Sequence, residues 1–187
     1  WQKWDLHVHG PNTAMNNCFQ GSSKEGKIDK FVEHVESIQN LSVIGITDYF
    51  SIRDYKLLKK RKDAGSLKNV NLLLPNVEMR ITPVTDQNKA INFHFIFNPE
   101  IVDELDSLFF NEFSFDYSGR KYKCTYNDLV RLGRKYKNNI ELDENCAYRE
   151  GVNQFKVSYQ EISKLLKDKY LRENSICGVS NNSSDGN

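Results

Sequence analysis

Short apolar runs of strand length alternate with stretches of helical periodicity through the first half of this chain. Asp5-Leu6-His7-Val8-His9 reads as a first strand. Ile28, Phe31, Val32, Val35 and Ile38 then recur at helical spacing and predict an amphipathic helix over about 27–39. A second strand is expected over about 42–47, where Val43-Ile44-Gly45-Ile46-Thr47 forms a continuous apolar run. Residues 51–64 carry Ile52, Tyr55, Leu57 and Leu58 among six basic residues, and Gly65 is placed to stop this second helix. Strands follow over about 71–79 and 90–97. A β-α-β-α-β opening of this kind favours parallel pairing through right-handed crossovers.

After Pro99 the rhythm changes. Pro99 suits the first turn of a helix running to about Phe110. Residues 113–117 and 120–124 flank Ser118-Gly119, which fits a hairpin or a loop. Thr125-x-x-Asp128 and Ser158-x-x-Glu161 have the form of capping boxes and open predicted helices over 126–137 and 159–173. Ser175 to Val179 is the expected fifth strand. The chain therefore reads as a single domain or the N-terminal fragment of one. Its chemistry lies in residues 1–98, a helical and hairpin insertion spans about 99–174, and a last strand and loop occupy 175–187.

Composition narrows the function classes only slightly. Trp1 in place of an initiator Met and the Asn/Ser/Gly tail support the fragment reading of these 187 residues. A formal net charge of +1 supplies no global field for nucleic acid or an anionic membrane, so nucleic acid is permitted but not implied. Cys18, Cys124, Cys146 and Cys177 are scattered and make no C-x-x-C pair, which fits reduced thiols in a cytoplasmic protein. No apolar run reaches the length needed to cross a bilayer.

Candidate chemistry changes the picture more. His7 and His9 at i and i+2 share a strand face, about 7 Å apart along it, and both can reach one ion. Asp48 ends the second apolar run, Glu78 ends Leu72 to Val77, and His94 sits within Ile91 to Phe97. Imidazole and carboxylate suit Zn, Mn or Fe better than Mg. His7, His9, Glu78 and His94 are accordingly the candidate ligands of one or two divalent ions. Asp48 is placed to orient a ligand. Arg80 shares a face with Glu78 and is expected either to hold a substrate phosphate or to pair with Glu78. His34, on the first helix, reads as a boundary or surface residue. Lys56, Lys59, Lys60, Arg61 and Lys62 read as a solvated helix face or as a nucleic-acid contact. Tyr117, Tyr122 and Tyr126 beside Arg120 and Lys121 offer either barrel packing or a stacking surface for nucleic acid.

Asp5-Leu6-His7-Val8-His9, Ile46-Thr47-Asp48, Pro75-Asn76-Val77-Glu78 and His94 resemble the first motifs of the PHP (polymerase and histidinol phosphatase) superfamily. Ile44 to Ile52 and Leu73 to Glu78 resemble more closely the PHP modules that precede AAA-like or SMC-like ATPase regions in bacteria. The resemblance spans Asp5 to His94. It implies a partial or distorted (β/α)7 barrel, mostly parallel, with an α-rich C-terminal half. It also implies metal-dependent hydrolysis of phosphomonoesters or phosphodiesters, with DNA or RNA among the substrates and the ATPase region of a larger protein as partner. DNA repair, RNA processing and defence against phage all fit such a module.

This chain departs from the family pattern at several positions. The His that follows Thr-Asp in the second motif is Tyr49 here, and the loop after the first motif offers only Asn16, Asn17 and Cys18. No histidine occurs after His94, and Asp185 is the late acidic residue in a suggestive setting. Two alternatives follow: a catalytically degenerate recognition or regulatory module, and an amidohydrolase-type metal hydrolase that also opens on H-x-H.

Overall fold

The alternation along the chain becomes a mixed α/β fold in the computed structural model, which describes residues 1–15, 19, 23–83 and 91–179. Asn16, Asn17, Cys18 and Asp185 lie outside the described residues. The chain divides into two compact units. Residues Trp1–Glu78 and Ile96–Pro99 form the first; Met79–Phe95 and the described residues from Glu100 onward form the second.

In the first unit β1 (Lys3–His9), α1 (Lys24–Ser37), β2 (Leu41–Tyr49), α2 (Arg53–Asp63) and β3 (Leu72–Thr82) follow in the expected order, β3 running on into the second unit. β1 pairs parallel with β2, and β2 parallel with β3. All nine residues of β2 are buried, which is why its sequence is a near-continuous apolar run rather than an alternation. Helix α1 begins three residues before the predicted start, because the Ser23 hydroxyl accepts from the Gly26 amide at 3.1 Å and caps it there. Ile28, Phe31 and Val35 form its buried stripe. Gly65 stops α2 as expected. At φ 101° it lets its own amide reach the Lys62 carbonyl and that of Ser66 reach Arg61, closing a Schellman motif.

The second unit is where local periodicity misled most. It contains most of β4 (Ile91–Phe97), then α3 (Leu105–Leu108), β5 (Ser114–Tyr117), β6 (Arg120–Lys123), α4 (Tyr126–Tyr136), α5 (Glu144–Gln154), β7 (Val157–Ser158), α6 (Tyr159–Leu165), α7 (Lys169–Glu173) and β8 (Ser175–Val179). The single helix expected from Pro99 to Phe110 is instead a 3-10 turn at Pro99–Ile101, the four-residue α3, and a second 3-10 turn at Phe110–Glu112. Phe109 leaves helical geometry at φ −130°, and its ring packs on Phe95, Phe110 and Phe113 at centroid distances of 4.8, 5.2 and 5.0 Å. Seating that buried aromatic outweighs a few helical hydrogen bonds.

The hairpin is present, with Ser118 and Gly119 both at positive φ, the geometry that suits the twist of two antiparallel strands. Thr125 caps α4, and Ser158 with Glu161 completes a full capping box on α6. The helix predicted over 159–173 divides, because the Asp168 carboxylate accepts from the Leu171 amide at 2.9 Å and starts α7. Helix α5 was not expected; Asp143 caps it by accepting from the Asn145 and Cys146 amides. Helices α4 and α5 cross closely because a Cβ on Gly133 would meet the Ala147 carbonyl at 1.8 Å, and one on Gly151 the Leu129 carbonyl at the same distance.

The strand order is β1-β2-β3-β4-β8, with β7 paired parallel to the end of β3. The expected last strand is thus formed, with Ile176 and Val179 exposed on it. Cys124 is buried, Cys146 half-buried and Cys177 exposed, all three as free thiols. Among the described residues no helix is long and apolar enough to cross a membrane.

Candidate metal centre

His7, His9 and Glu78 come together in the first unit, with one donor atom from each lying within 4.8 Å of the others. The Nε2 atoms of His7 and His9 stand 3.5 and 3.6 Å from Glu78 Oε2. Their rings are 5.0 Å apart between centroids. These separations exceed a hydrogen bond but match ligands of a common ion: two donors each about 2.1 Å from a tetrahedral metal stand about 3.4 Å apart.

Burial sharpens the case. The Glu78 side chain is 1% exposed, and among the described residues neither of its oxygens has a hydrogen-bond partner. A buried carboxylate left so costs at least about 1–3 kcal/mol, which a coordinated cation offsets. The imidazoles are more open, at 35% and 20% side-chain exposure, so the trio is reachable from solvent. The residues present therefore fit a divalent ion held by two neutral imidazoles and one carboxylate.

Local structure explains why the trio meets. On β1, Asp5 pairs with Ile44 but Val8 with Ile46, so three steps on β1 answer two on β2 and a bulge falls at Leu6 and His7, where the H-x-H stretch begins. Two residues accommodate the Leu6 carbonyl there. The Asn76 side-chain amide donates to it at 2.8 Å, and to the Thr47 hydroxyl at 3.0 Å. Gly45 makes room, since a Cβ at that position would lie 2.2 Å from the same oxygen. Both residues sit inside the quoted motifs, yet spacing alone assigns neither a role. Their signal is only a glycine within the β-branched run Val43 to Thr47 and a polar residue in the interior of an apolar strand.

The remaining candidates are placed as follows. Asp48 is buried, and its Oδ2 accepts from the Asp54 amide at 2.9 Å, capping the second position of α2, whose own N-cap residue Ile52 makes no side-chain bond. Burial pushes the Asp48 carboxyl well above the usual carboxylate range. The nearby Asp54 carboxylate adds to the rise, and the Asp54 amide opposes it. Asp54 is also raised, chiefly by burial, and it accepts from the Asn12 amide at 2.5 Å and the Asn12 side chain at 3.2 Å. Tyr49, the residue in place of the expected ligand, is buried and stacks on His9 at 5.3 Å with an interplanar angle of 20°.

His94 is buried on β4, in the second unit. Arg80 donates through Nη1 to Asn153 Oδ1 at 3.2 Å. His34 is exposed on α1, as expected. In the basic run, Lys59 pairs with Asp63, Arg61 with Glu25 and Asp29, and Lys62 donates to the carbonyls of Leu67 and Val70. The three tyrosines separate: Tyr122 is buried, Tyr126 donates to Glu144 and packs on Tyr148, and Tyr117 meets Tyr136.

No protein-family model and no curated protein matches the chain.

Proposed function

We propose that the chain is a metal-dependent phosphoesterase module of the PHP type, built on a partial or distorted β/α barrel and acting on phosphomonoesters or phosphodiesters. The observation that carries this reading is the Glu78 carboxylate, buried without a hydrogen bond among the described residues and facing two imidazole nitrogens at 3.5 and 3.6 Å. His7, His9 and Glu78 would hold one divalent ion of the Zn, Mn or Fe class. Bound there, such an ion polarises a phosphoryl oxygen and activates water near neutral pH. The chain's own residues do the positioning. Asn76 and Gly45 accommodate the Leu6 carbonyl at the bulge that leads into the H-x-H stretch, and Tyr49 holds the His9 ring by stacking. Asp48 supports the strand end by capping α2. The motif resemblance supplies the reaction class and the expectation of an ATPase partner.

The Tyr49 stack also favours a second reading. With a buried phenol ring against His9 where a further histidine would stand, the trio suits a module that binds metal and recognises a phosphate group without cleaving it.

The test is elemental analysis of protein purified without chelator, followed by assays on a nitrophenyl phosphate monoester and diester. Near-stoichiometric Zn, Mn or Fe that is lost in His7→Ala/His9→Ala, together with chelator-sensitive hydrolysis, is the expected result. Stoichiometric metal without hydrolysis favours the recognition module. A folded wild type that takes up none of these ions overturns both.

A further inference from the structure

Residues 10–13 leave β1 immediately after His9, and one side chain of α2 holds them. Asp54, the second residue of that helix, is buried to 2% exposure. Its Oδ2 accepts from the Asn12 amide at 2.5 Å and its Oδ1 from the Asn12 side chain at 3.2 Å, so each oxygen meets a donor of the same residue. The turn closes where the Thr13 amide donates to the Gly10 carbonyl at 3.3 Å, and it stays joined to the sheet where the Gly10 amide donates to the Thr47 carbonyl at 3.1 Å. Gly10 passes Asp54 without clearance, since a Cβ on it would stand 2.3 Å from Asp54 Oδ2 and 2.5 Å from Asp54 Cβ. The main chain of Asp54 is itself fixed to β2 through its amide bond to Asp48. All of these residues belong to the first unit.

An acidic residue in the first turn of a helix is ordinarily explained by the helix dipole, and an exposed side chain serves that purpose as well as a buried one. The dipole accounts neither for the burial of Asp54 nor for its two bonds to a residue 42 positions earlier. Burial disfavours the charged carboxylate, and the Asn12 bonds oppose that effect. What the buried carboxylate does, and an exposed one would not, is fix the path of the chain beyond His9. The H-x-H stretch is thereby held at both ends. Asn76 receives the Leu6 carbonyl on one side of it, and Asp54 clamps the turn on the other.

We propose that Asp54 is a positioning residue of the metal centre, setting the end of β1, and with it the His9 imidazole, through Asn12 and Gly10. The inference rests on reading His7, His9 and Glu78 as ligands of one ion. Asp54 acts through the turn and is not itself a ligand.

The experiment compares the full chain with Asp54→Asn, which keeps the size of the side chain but turns one acceptor into a donor facing the donors of Asn12. Zn affinity is measured by competition with a chromophoric chelator, the ligand geometry by the visible spectrum of the Co-loaded protein, and stability by urea unfolding. Asp54→Asn should weaken Zn binding about tenfold and alter the Co spectrum. The exchange Asn12→Asp/Asp54→Asn should recover most of the loss, because a carboxylate at position 12 can accept from the new amide at position 54. In metal-free protein, NMR should show the His9 ring resonances moving in Asp54→Asn more than those of His7. Asn12→Ala, which removes the side-chain bond alone, should lose affinity by a few-fold and serves as the second variant if Asp54→Asn does not fold. A residue that only anchors a loop would lower the urea midpoint and leave the Zn affinity, Co spectrum and His9 resonances of the folded protein as in wild type, and that result overturns the proposal. So does an affinity loss that the exchange fails to recover. Wild type that takes up no Zn or Co overturns the metal reading and this inference with it, whereas metal-binding wild type with an unaffected Asp54→Asn overturns this inference alone.

Discussion

Glu78 and Asp48 are buried carboxylates on adjacent parallel strands of the first unit, one residue apart in register, and the protein treats them oppositely. Asp48 is engaged by the backbone of α2: it accepts the Asp54 amide and closes a helix terminus that its own N-cap residue leaves open. Among the described residues Glu78 has no hydrogen bond to either oxygen, and it faces two imidazoles beyond bonding distance. A carboxylate that the fold satisfies is architecture, whereas one that the fold buries and leaves unsatisfied is poised for a cation from outside. The difference leaves Glu78 able to ligate an ion and Asp48 engaged in support, although both end apolar runs in the sequence.

The sharpest way to break this contrast is to remove each charge in turn. Glu78→Gln should weaken metal binding by about 100-fold or more, above the range usual for groups that only orient a ligand. Asp48→Asn keeps an oxygen acceptor for the Asp54 amide and should hold affinity within a few-fold. A competition titration against a chromophoric chelator measures both, and equal losses would erase the distinction. In chelator the order reverses: Glu78→Gln should unfold at higher urea than wild type, by about 1–3 kcal/mol, because it removes a buried carboxylate that accepts no hydrogen bond among the described residues.

Disturbing the bulge comes next in size. Gly45→Ala forces a Cβ against the Leu6 carbonyl and should cost about 1–3 kcal/mol in urea unfolding, with weakened metal binding. Asn76→Ala leaves that carbonyl without its 2.8 Å donor and should cost a similar amount or slightly less, with metal affinity down by about 10–100-fold. If either variant keeps full affinity, the bulge does not position the imidazoles.

The pH dependence sharpens the comparison from the other side. The folded Asp48 carboxyl is raised above its unfolded value, so the native state holds more protons above the ordinary carboxylate range. Its contribution to stability is complete at acid pH and is lost as pH rises through the raised value. Asp48→Asn should flatten that decline in a series of thermal melts from pH 4 to 8, leaving the smaller share owed to Asp54. An unchanged slope would mean that Asp48 does not carry it. Lys156 should produce the smallest effect and the opposite sign: burial and the Arg80 charge lower its folded amine to about 8 against 10.5, so stability rises with pH between those values. Partial exposure of Lys156 keeps the change small, and Lys156→Gln should remove it.

Much of the first unit was legible because its signals are local. The apolar run of β2, the stripe of Ile28, Phe31 and Val35, and Gly65 after α2 each specify an element with little help from elsewhere. The second unit was less so. Phe109 broke an expected helix because burying a ring against Phe95 and Phe113 outweighed local periodicity, and α5 was missed although Asp143 caps its start. In the candidate site, H-x-H spacing and the strand-end Glu78 could be read directly, since strand alternation alone puts His7 and His9 on one face.

Other features required the chain to close on itself. Residue spacing does not distinguish Glu78 from Asp48, because whether a buried carboxylate finds a backbone amide depends on where α2 begins relative to the end of β2. Nor does it place Leu6 against Gly45 and Asn76, which are remote in sequence and meet only through parallel pairing. The sequence alone determined which side chains are able to bind a metal. The tertiary structure decided which of them meet, because burial and hydrogen-bond satisfaction are properties of neighbours brought together by folding.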